Sequence, residues 1–341
     1  MGSLLSCGRI GEGYQNNTGM RDGRFAISVD LGGTNLRVAA IDEAGRLLEL
    51  LTLPTISDKG QEDVIDRMCD GILLLLDRWR DRYYLVGISL GLPGIFNLRT
   101  GIWVESPNLP GWANCPIRDL VFERLKQPFH LENDANLAAL GEKWIGSGKD
   151  EENLIFITQG TGVGGGIILN GRIWHGNEGM AAELGHVNVY PDGRLCRCGN
   201  RGCLEEYASA SAVVKGALEH LQSGQASPAL RRFADSEKKL TAALIYRLAR
   251  EGDTSSLEVF QQMGVALGIA IASFINILDI RLFVLGGGGV EAWDAFEKSM
   301  FDEVARRSYV YRNDPRQILK SRLGNQAGIF GGAYLAFQHA F

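Results

Sequence analysis

The densest chemistry in this 341-residue sequence lies between positions 186 and 203. His186, Cys196, Cys198 and Cys203 supply one imidazole and three thiols, with Gly199 and Gly202 to permit tight turns. That donor set is the Cys₃His pattern of a tetrahedral structural zinc site, and four protein ligands leave no open position for hydrolysis. Disulfide pairing is the alternative, but a Cys-x-Cys pair is awkward to bridge and the third cysteine is left odd. Glu183, His186 and Glu205 flank the element, and Gly185 favours a turn over a helix there. Two carboxylates and an imidazole beside a rigid turn suit a polyhydroxylated ligand, whose hydroxyls need acceptors. Solvated surface glutamates are the competing explanation.

Three glycine segments follow strand-like runs: Leu31-Gly-Gly-Thr-Asn35, Gly160-Thr-Gly-Val-Gly-Gly-Gly166 and Gly286-Gly-Gly-Gly289. Backbone N–H groups in such turns form an anion nest, and the missing Cβ lets a phosphate approach. One such turn alone is an ordinary hairpin; three together point to a nucleotide. The candidate contacts are Gly32, Gly33, Thr34 and Asn35, then Gly160, Thr161, Gly162 and Gly164, then Gly287 and Gly288. Gly160, Gly162 and Gly165 spell the literal dinucleotide pattern, which requires a helix to follow. Here Ile167–Leu169 stops at Asn170-Gly171, a hairpin signal. Asp30 ends a strand directly before the first nest. A carboxylate beside a phosphate needs an intervening cation, so Asp30 is a candidate Mg²⁺ anchor, or else a turn-initiating residue. Asp134 opens a helix after a short strand. It reads as the N-cap, ionised by the helix N-terminus. A carboxylate so placed also takes a proton from a sugar hydroxyl.

The elements that must position these groups are legible from periodicity. Strands are expected at 25–30, 36–41 and 46–53, then a helix over 62–80, a strand at 85–90, a helix at 117–125, a strand at 129–132 and a helix at 135–144. The pattern then restarts: strand 154–158, glycine turn 160–166, strand 167–169. Strand, glycine turn, strand thus occurs twice, which suggests one architectural idea used in two domains. A mostly helical region spans 205–279, a strand covers 282–285, and a helix around 331–339 closes the chain.

Composition sets limits. Hydrophobic residues at 45% are ample for a core. Asp plus Glu exceeds Lys plus Arg by 40 to 35, a net charge of −5 that fits nucleic acid poorly. Gly at 44 residues is nearly twice the usual ~7% without a collagen period, so the glycines serve turns and close approach. The longest apolar stretch, Gly264 to Leu278, is broken by Ser273 and Asn276 and falls short of the about 20 residues of a membrane span. Cys7, Cys69 and Cys115 are scattered, which reads as reduced thiols in a cytoplasm. Residues 1–23 read as a loose tail.

Together these pieces resemble the ROK family, most closely its bacterial-type glucokinases. The resemblance runs from about Phe25 to Phe341 through Asp30-Leu-Gly-Gly-Thr-Asn35, Gly91-Leu-Pro-Gly94, Asn108-Leu-Pro-Gly-Trp112, Glu132-Asn-Asp-Ala-Asn136, Gly160–Gly165, Glu183-Leu-Gly-His186, the cysteine element through Glu205, and Leu285–Gly288. It implies an actin-like, ribonuclease-H-like α/β fold with two domains and an active-site cleft between them. The smaller domain would be 24–133 plus 326–341. The larger would be 134–325, with the zinc element at 186–203. The resemblance further implies ATP against the glycine turns, Asp134 as catalytic base, and Asn108, Asn133, Asp134, Glu183, His186 and Glu205 on the sugar. His186 would bind zinc through one ring nitrogen and the sugar through the other. The expected reaction is γ-phosphoryl transfer to the 6-hydroxyl of a hexose, glucose first. N-acetylmannosamine, N-acetylglucosamine and fructose kinases of the same family are the alternatives, and polyphosphate is an alternative donor. The family also implies a homodimer or homotetramer. A ROK repressor carries an added DNA-binding domain, for which about 24 residues before the first strand are too few. A sugar sensor without catalysis is opposed by Asp134 and the intact glycine turns.

Overall fold

The structure is a computed structural model that describes residues 22–105, 112–234 and 239–340. Asn108 and the tail through residue 21 lie outside the described residues. Asp22 and Gly23, expected in that tail, are already ordered: the Asp22 N–H donates to Arg82 O, and Gly23 begins the first strand.

Among the described residues the first lobe is built on a five-stranded sheet. Its strands are β1 (Gly23–Leu31), β2 (Asn35–Asp42), β3 (Leu47–Pro54), β4 (Tyr83–Leu92) and β8 (His130–Asn133), in the order β3-β2-β1-β4-β8. β2 runs antiparallel to β1 and β3, whereas β4 runs parallel to β1 and β8. Helix α1 (Gln61–Trp79) joins β3 to β4. Phe25, Ile27 and Val29 of β1 share a core with Val64, Ile65, Met68 and Ile72 of α1. Ala26, on the opposite face, packs with Ile329 and Ala333 near the chain's end. The central strand is therefore covered on both sides, which is why it reads as a continuous apolar run.

A small sheet of β5 (Ile95–Asn97), β6 (Ile102–Glu105) and β7 (Ala113–Cys115) precedes helix α2 (Ile117–Leu125). These strands of three and four residues are too short to leave a period in the sequence. Trp112 belongs to this core: it is buried edge-to-face on Trp103, ring centroids 4.8 Å apart.

Helix α3 (Asp134–Ile145) leads into the second lobe. The second sheet contains β9 (Leu154–Gln159), β10 (Val163–Leu169), β11 (Arg172–Ile173), β12 (Leu282–Gly286) and β13 (Gln317–Lys320), in the order β11-β10-β9-β12-β13. Its strand directions repeat those of the first sheet. The duplication glimpsed in two hairpins thus extends to all five strands. The helical region resolves into α4 (Glu205–Ala208), α5 (Ala210–Gln222), α6 (Pro228–Ala234), α7 (Ala242–Arg250) and α8 (Thr254–Leu278). After β12 come α9 (Trp293–Arg307) and α10 (Tyr309–Asn313), and α11 (Ala327–Gln338) closes the fold. By length and composition α8 is apolar enough to cross a membrane, contrary to the expectation from sequence. Most of it is buried against its neighbours, and Gly264 and Gly268 bring it against the α9 backbone at Phe296 and Met300.

Two features were not expected. First, β10 starts at Val163, so Gly164, Gly165 and Gly166 are strand rather than turn. They are glycine because of close packing. A Cβ on Gly166 would lie 2.7 Å from Ala139 Cβ of α3, and one on Gly165 would overlap Leu184. Second, the two closing helices are exchanged. α3 follows the fifth strand of the first sheet yet lies on the second, where Leu137 and Leu140 pack with Phe156, Ile168 and Val284. α11 follows the fifth strand of the second sheet and lies on the first. The two helices cross with backbones in contact: a Cβ on Gly331 would overlap the carbonyl of Leu137, and one on Gly141 the carbonyl of Ala327.

Gly331→Ala is therefore expected to force α3 and α11 apart and destabilise the protein by about 1–3 kcal/mol, the range for overpacking, while Gly160→Ala, where a Cβ meets open space, costs far less. Urea melts of the two variants check this.

Candidate active site

The site is assembled around the first turn of α3. Asn133, not Asp134 as expected, caps this helix: its Oδ1 accepts from the N–H groups of Ala135 (2.9 Å) and Asn136 (3.3 Å). Its amide nitrogen donates to Gly94 O at 3.2 Å. The cap thus occupies the Asn133 oxygen, and the side chain has one N–H left to offer. Asp134 is the first helical residue, with Oδ1 2.8 Å from the Ala135 nitrogen.

Burial pushes the Asp134 carboxyl up to about 7, and Asp30 and Glu183 add to the rise while the backbone N–H groups oppose it. The sequence argument had the helix N-terminus keep this group ionised. That effect is typically 0.3–1 kcal/mol, and burial outweighs it.

Asp30 lies at the end of β1. Burial raises its carboxyl, and Arg37, at 3.4 Å from Oδ2, opposes the rise. Arg37 also donates to Asn325 O at 2.7 Å. The turn after Asp30 is pinned at its base: Gly32 N–H donates to Asn35 O (2.9 Å), and the buried Thr55 donates its hydroxyl to Gly32 O (2.6 Å). Gly33, Thr34 and Asn35 remain exposed. The partly buried Asp30 carboxylate beside these open N–H groups fits a hydrated Mg²⁺ between protein and phosphate.

The second turn reduces to Gly160–Gly162. Gly160 N–H donates to Gly162 O, Ala210 N–H to Gly160 O, and the Ser211 hydroxyl to Thr161 O, so the start of α5 holds it. Glu205 of α4 accepts from Val163 N–H at 2.9 Å, and a Cβ on Gly162 would overlap its carboxylate. Gly164 lies apart from the turn, packed near Ala135 of α3. Gly287 packs on the backbone of Gln159, directly before the second turn, while Gly288 faces open space. The third glycine segment therefore abuts the second.

Glu183 precedes a 3₁₀ turn, Leu184–His186, as the glycine at 185 suggested. A Cβ on Gly185 would overlap Val163 O, so this turn lies flat on the start of β10. Burial raises the Glu183 carboxyl, His186 opposes the rise and Glu205 adds to it. Asp30, Asp134, Glu183, His186 and Glu205 thus form one electrostatically connected chain, running from the first glycine turn to the second. Sequence reasoning did not single out Arg37, Glu132 or His175. Glu132, inside a quoted motif, bonds His175 Nε2 at 2.6 Å; nothing local distinguishes that histidine.

The cysteine element fits a metal. The ligand atoms of His186, Cys196, Cys198 and Cys203 all lie within 4.8 Å of one another. Cys198 and Cys203 sulfurs are 3.6 Å apart, and His186 Nδ1 is 3.7 Å from Cys196 Sγ. Two Zn–S bonds of 2.3 Å at the tetrahedral angle span about 3.8 Å. Backbone bonds frame the loop, including Cys196 N–H to Asn200 O (2.8 Å) and Gly202 N–H to Arg194 O (2.8 Å). Burial, with the neighbouring sulfurs, pushes the Cys203 thiol up to about 12. Its thiolate therefore needs a cation beside it. With Nδ1 turned to the sulfurs, His186 keeps Nε2 for another partner.

The ROK family model matches residues 26–339. The chain is a member of the ROK family. It is 36% identical over 317 residues to a glucokinase of Halalkalibacterium halodurans, covering 92% of this chain and 96% of that one. Among solved structures, a ROK hexokinase from Thermus thermophilus superposes with a TM-score of 0.77 at 30% identity, covering 93% of this chain and all of that one. A ROK glucokinase from Streptomyces griseus, in complex with glucose and AMPPNP, gives 0.74 at 30% identity over 92% and 99%. The fold is thus the actin-like ATPase fold that the resemblance implied.

Metal analysis of the purified protein is expected to give about one zinc per chain. Cys203→Ser is expected to lose that zinc and to weaken sugar binding more than nucleotide binding, since the resemblance implies that His186 would serve both metal and sugar. Calorimetry with each ligand checks this.

Proposed function

We propose that this chain is an ATP-dependent hexose kinase that phosphorylates the 6-hydroxyl of glucose with Asp134 as general base. The observation that carries the reading is the placement of Asp134 as the first residue of α3, where burial pushes its carboxyl up to about 7 and Asp30 and Glu183 add to the rise. A base is most effective when its pKa lies near the working pH. The relatives that are glucokinases over nearly their whole length support glucose as the hexose.

In this reading Asn133, through its spare N–H, Glu183, His186 through Nε2, and Glu205 through the oxygen not bonded to Val163 engage the sugar hydroxyls. Asn108, outside the described residues, completes the set. O6–H faces Asp134. The O6 lone pair forms the new bond to the γ-phosphorus as the bond to the bridging β–γ oxygen breaks. The O6 proton passes to the Asp134 carboxylate, and ADP leaves with the bond pair. The nests at Gly32–Asn35 and Gly160–Gly162 hold phosphate oxygens with N–H groups that need no rearrangement, and Gly287 and Gly288 line the nucleoside side. When bound, Mg²⁺ beside Asp30 neutralises phosphate charge. Arg37 opposes the rise that burial imposes on the Asp30 carboxyl. Closure of the two lobes, proposed as 24–133 with 326–341 and 134–325, excludes water as a competing acceptor. Zinc acts through His186, by fixing its orientation. Free thiols at Cys69 and Cys115 support a cytoplasmic setting. A homodimer or homotetramer is part of the same reading, on family resemblance.

The test is ADP release from Mg-ATP with glucose, mannose, fructose, N-acetylglucosamine and N-acetylmannosamine. Selective turnover of glucose is expected. Turnover of an N-acetyl sugar alone would overturn the substrate and keep the mechanism. Asp134→Asn is expected to lower kcat about 10²–10⁴-fold with sugar binding retained. Wild-type turnover by that variant would overturn the base.

The same carboxyl carries a stability signature. Its folded pKa of about 7 lies above the ordinary 3.8, so the fold carries no penalty below about 3.8, loses stability as pH rises from there to about 7, and is level above that. Asp134→Asn is thus expected to raise Tm at pH 8 and to leave it nearly unchanged at pH 4, as read by thermal melts.

A further inference from the structure

Glu132 and His175 meet across the two lobes. Glu132 lies in β8 of the first sheet, one residue before its end, and His175 follows β11 of the second. The Glu132 side chain is buried and its two oxygens are divided between two tasks. Oε1 accepts from the Asn133 backbone N–H (2.8 Å) and the Asn136 side-chain amide (2.9 Å), both at the start of α3. Oε2 meets only the other lobe, through His175 Nε2 at 2.6 Å. A buried carboxylate oxygen left without a donor is costly, so the bond holds the histidine where it is.

His175 in turn anchors the loop that leads to Glu183. Its carbonyl accepts from Ala181 N–H at 3.2 Å, closing the turn at Gly176, whose φ is +68°. The same loop leans on the first lobe at a second point: a Cβ on Gly179 would lie 3.1 Å from Leu98, and Glu178 faces Arg99 at 3.9 Å. The Asn133–Asp134 pair and Glu183 therefore sit on segments from different lobes that are joined directly by a part-buried hydrogen bond.

We propose that the Glu132–His175 bond is a cross-cleft tie, with His175 a positioning residue that holds the Glu183 loop in register with Asn133 and sets sugar affinity rather than the rate of the chemical step. The proposal rests on the kinase reading above for its assay, and on geometry alone for the tie. Among the described residues the charged group that faces His175 is Glu132 of β8; the Glu178–Arg99 pair is a separate contact of the same loop. The bond to Glu132 raises the His175 imidazole above its usual range, against burial. The tie is an ion pair while His175 is protonated and a weaker neutral-donor bond above that pH.

The experiment is steady-state kinetics on the full chain for wild type, His175→Gln and His175→Leu across pH 5.5–8.5, with thermal melts in parallel. His175→Leu is expected to raise KM for glucose by roughly tenfold or more, with kcat and KM for ATP within about threefold of wild type. His175→Gln keeps a neutral donor; it is expected to lie between the two and to flatten the rise of glucose KM with pH that wild type shows. Unchanged glucose KM in a folded His175→Leu, or a loss confined to kcat, overturns the proposal. If His175→Leu fails to fold, a His175→Gln that keeps the wild-type pH dependence of KM overturns it instead. If wild type turns over no sugar, the kinase reading fails separately, and glucose calorimetry decides the tie: equal affinity in wild type and His175→Gln at every pH overturns it.

Discussion

Everything in the site is referred to one contact, the crossing of α3 and α11 with no side chain between them. At Gly141 and Gly331 the two backbones approach so closely that a single methyl group would overlap a carbonyl. That closeness fixes the relation between two sheets that share no strand. Asp134 stands at the start of one crossing helix. At the start of the other, Gly328 passes within van der Waals reach of Asp30, where a Cβ would lie 3.6 Å from Cγ. At the far end of α3 the buried Glu142 accepts from Leu323 N–H (2.9 Å) and the Ser321 hydroxyl (2.6 Å), fastening the segment that enters α11. The positions of both carboxylates are thus set by helix packing rather than by the loops around them.

The second constraint is electrostatic crowding. Asp30, Asp134, Glu183 and Glu205 lie along one path, and each has a different compensation. Asp30 has Arg37, Glu205 has the Val163 N–H, and Glu183 has His186. Asp134 has backbone donors at a helix start, and burial pushes its carboxyl up to about 7. In the proposed mechanism this is the acid that receives the proton. An arrangement that costs stability in the resting fold is what prepares the group for transfer.

The chemistry was more legible in the sequence than the packing. The Cys₃His spacing and the Asp30–Asn35 turn report on local covalent geometry, so they survive translation into structure. The glycines at 164–166 do not, because the sequence cannot separate a glycine needed for a turn from one needed for a neighbour. Here Ala139 and Leu184, far from Gly166 and Gly165 in sequence, decide it. Asp134 as cap failed for a related reason: two adjacent residues, Asn133 and Asp134, were both eligible, and register chose Asn133. Glu132 with His175 and Asp30 with Arg37 are tertiary pairs. Of the fold, the first hairpin of each sheet was visible, while β13 and the strands β5–β7 were too short to leave a period.

The exchange of closing helices has a consequence for biosynthesis. The first sheet is complete once β8 has been made, yet the face carrying Ala26 and Ala39 stays uncovered until Ile329, Phe330 and Ala333 arrive nearly two hundred residues later. A nascent chain would expose that apolar face to solvent throughout synthesis of the second lobe. Ala26, Ala39 and Ser28 on it limit the stickiness of a waiting surface that also carries Ile41. The N-terminal half is thus the part of this protein with most need of chaperone cover on the ribosome, and the last helix made is the one that finishes the first domain begun.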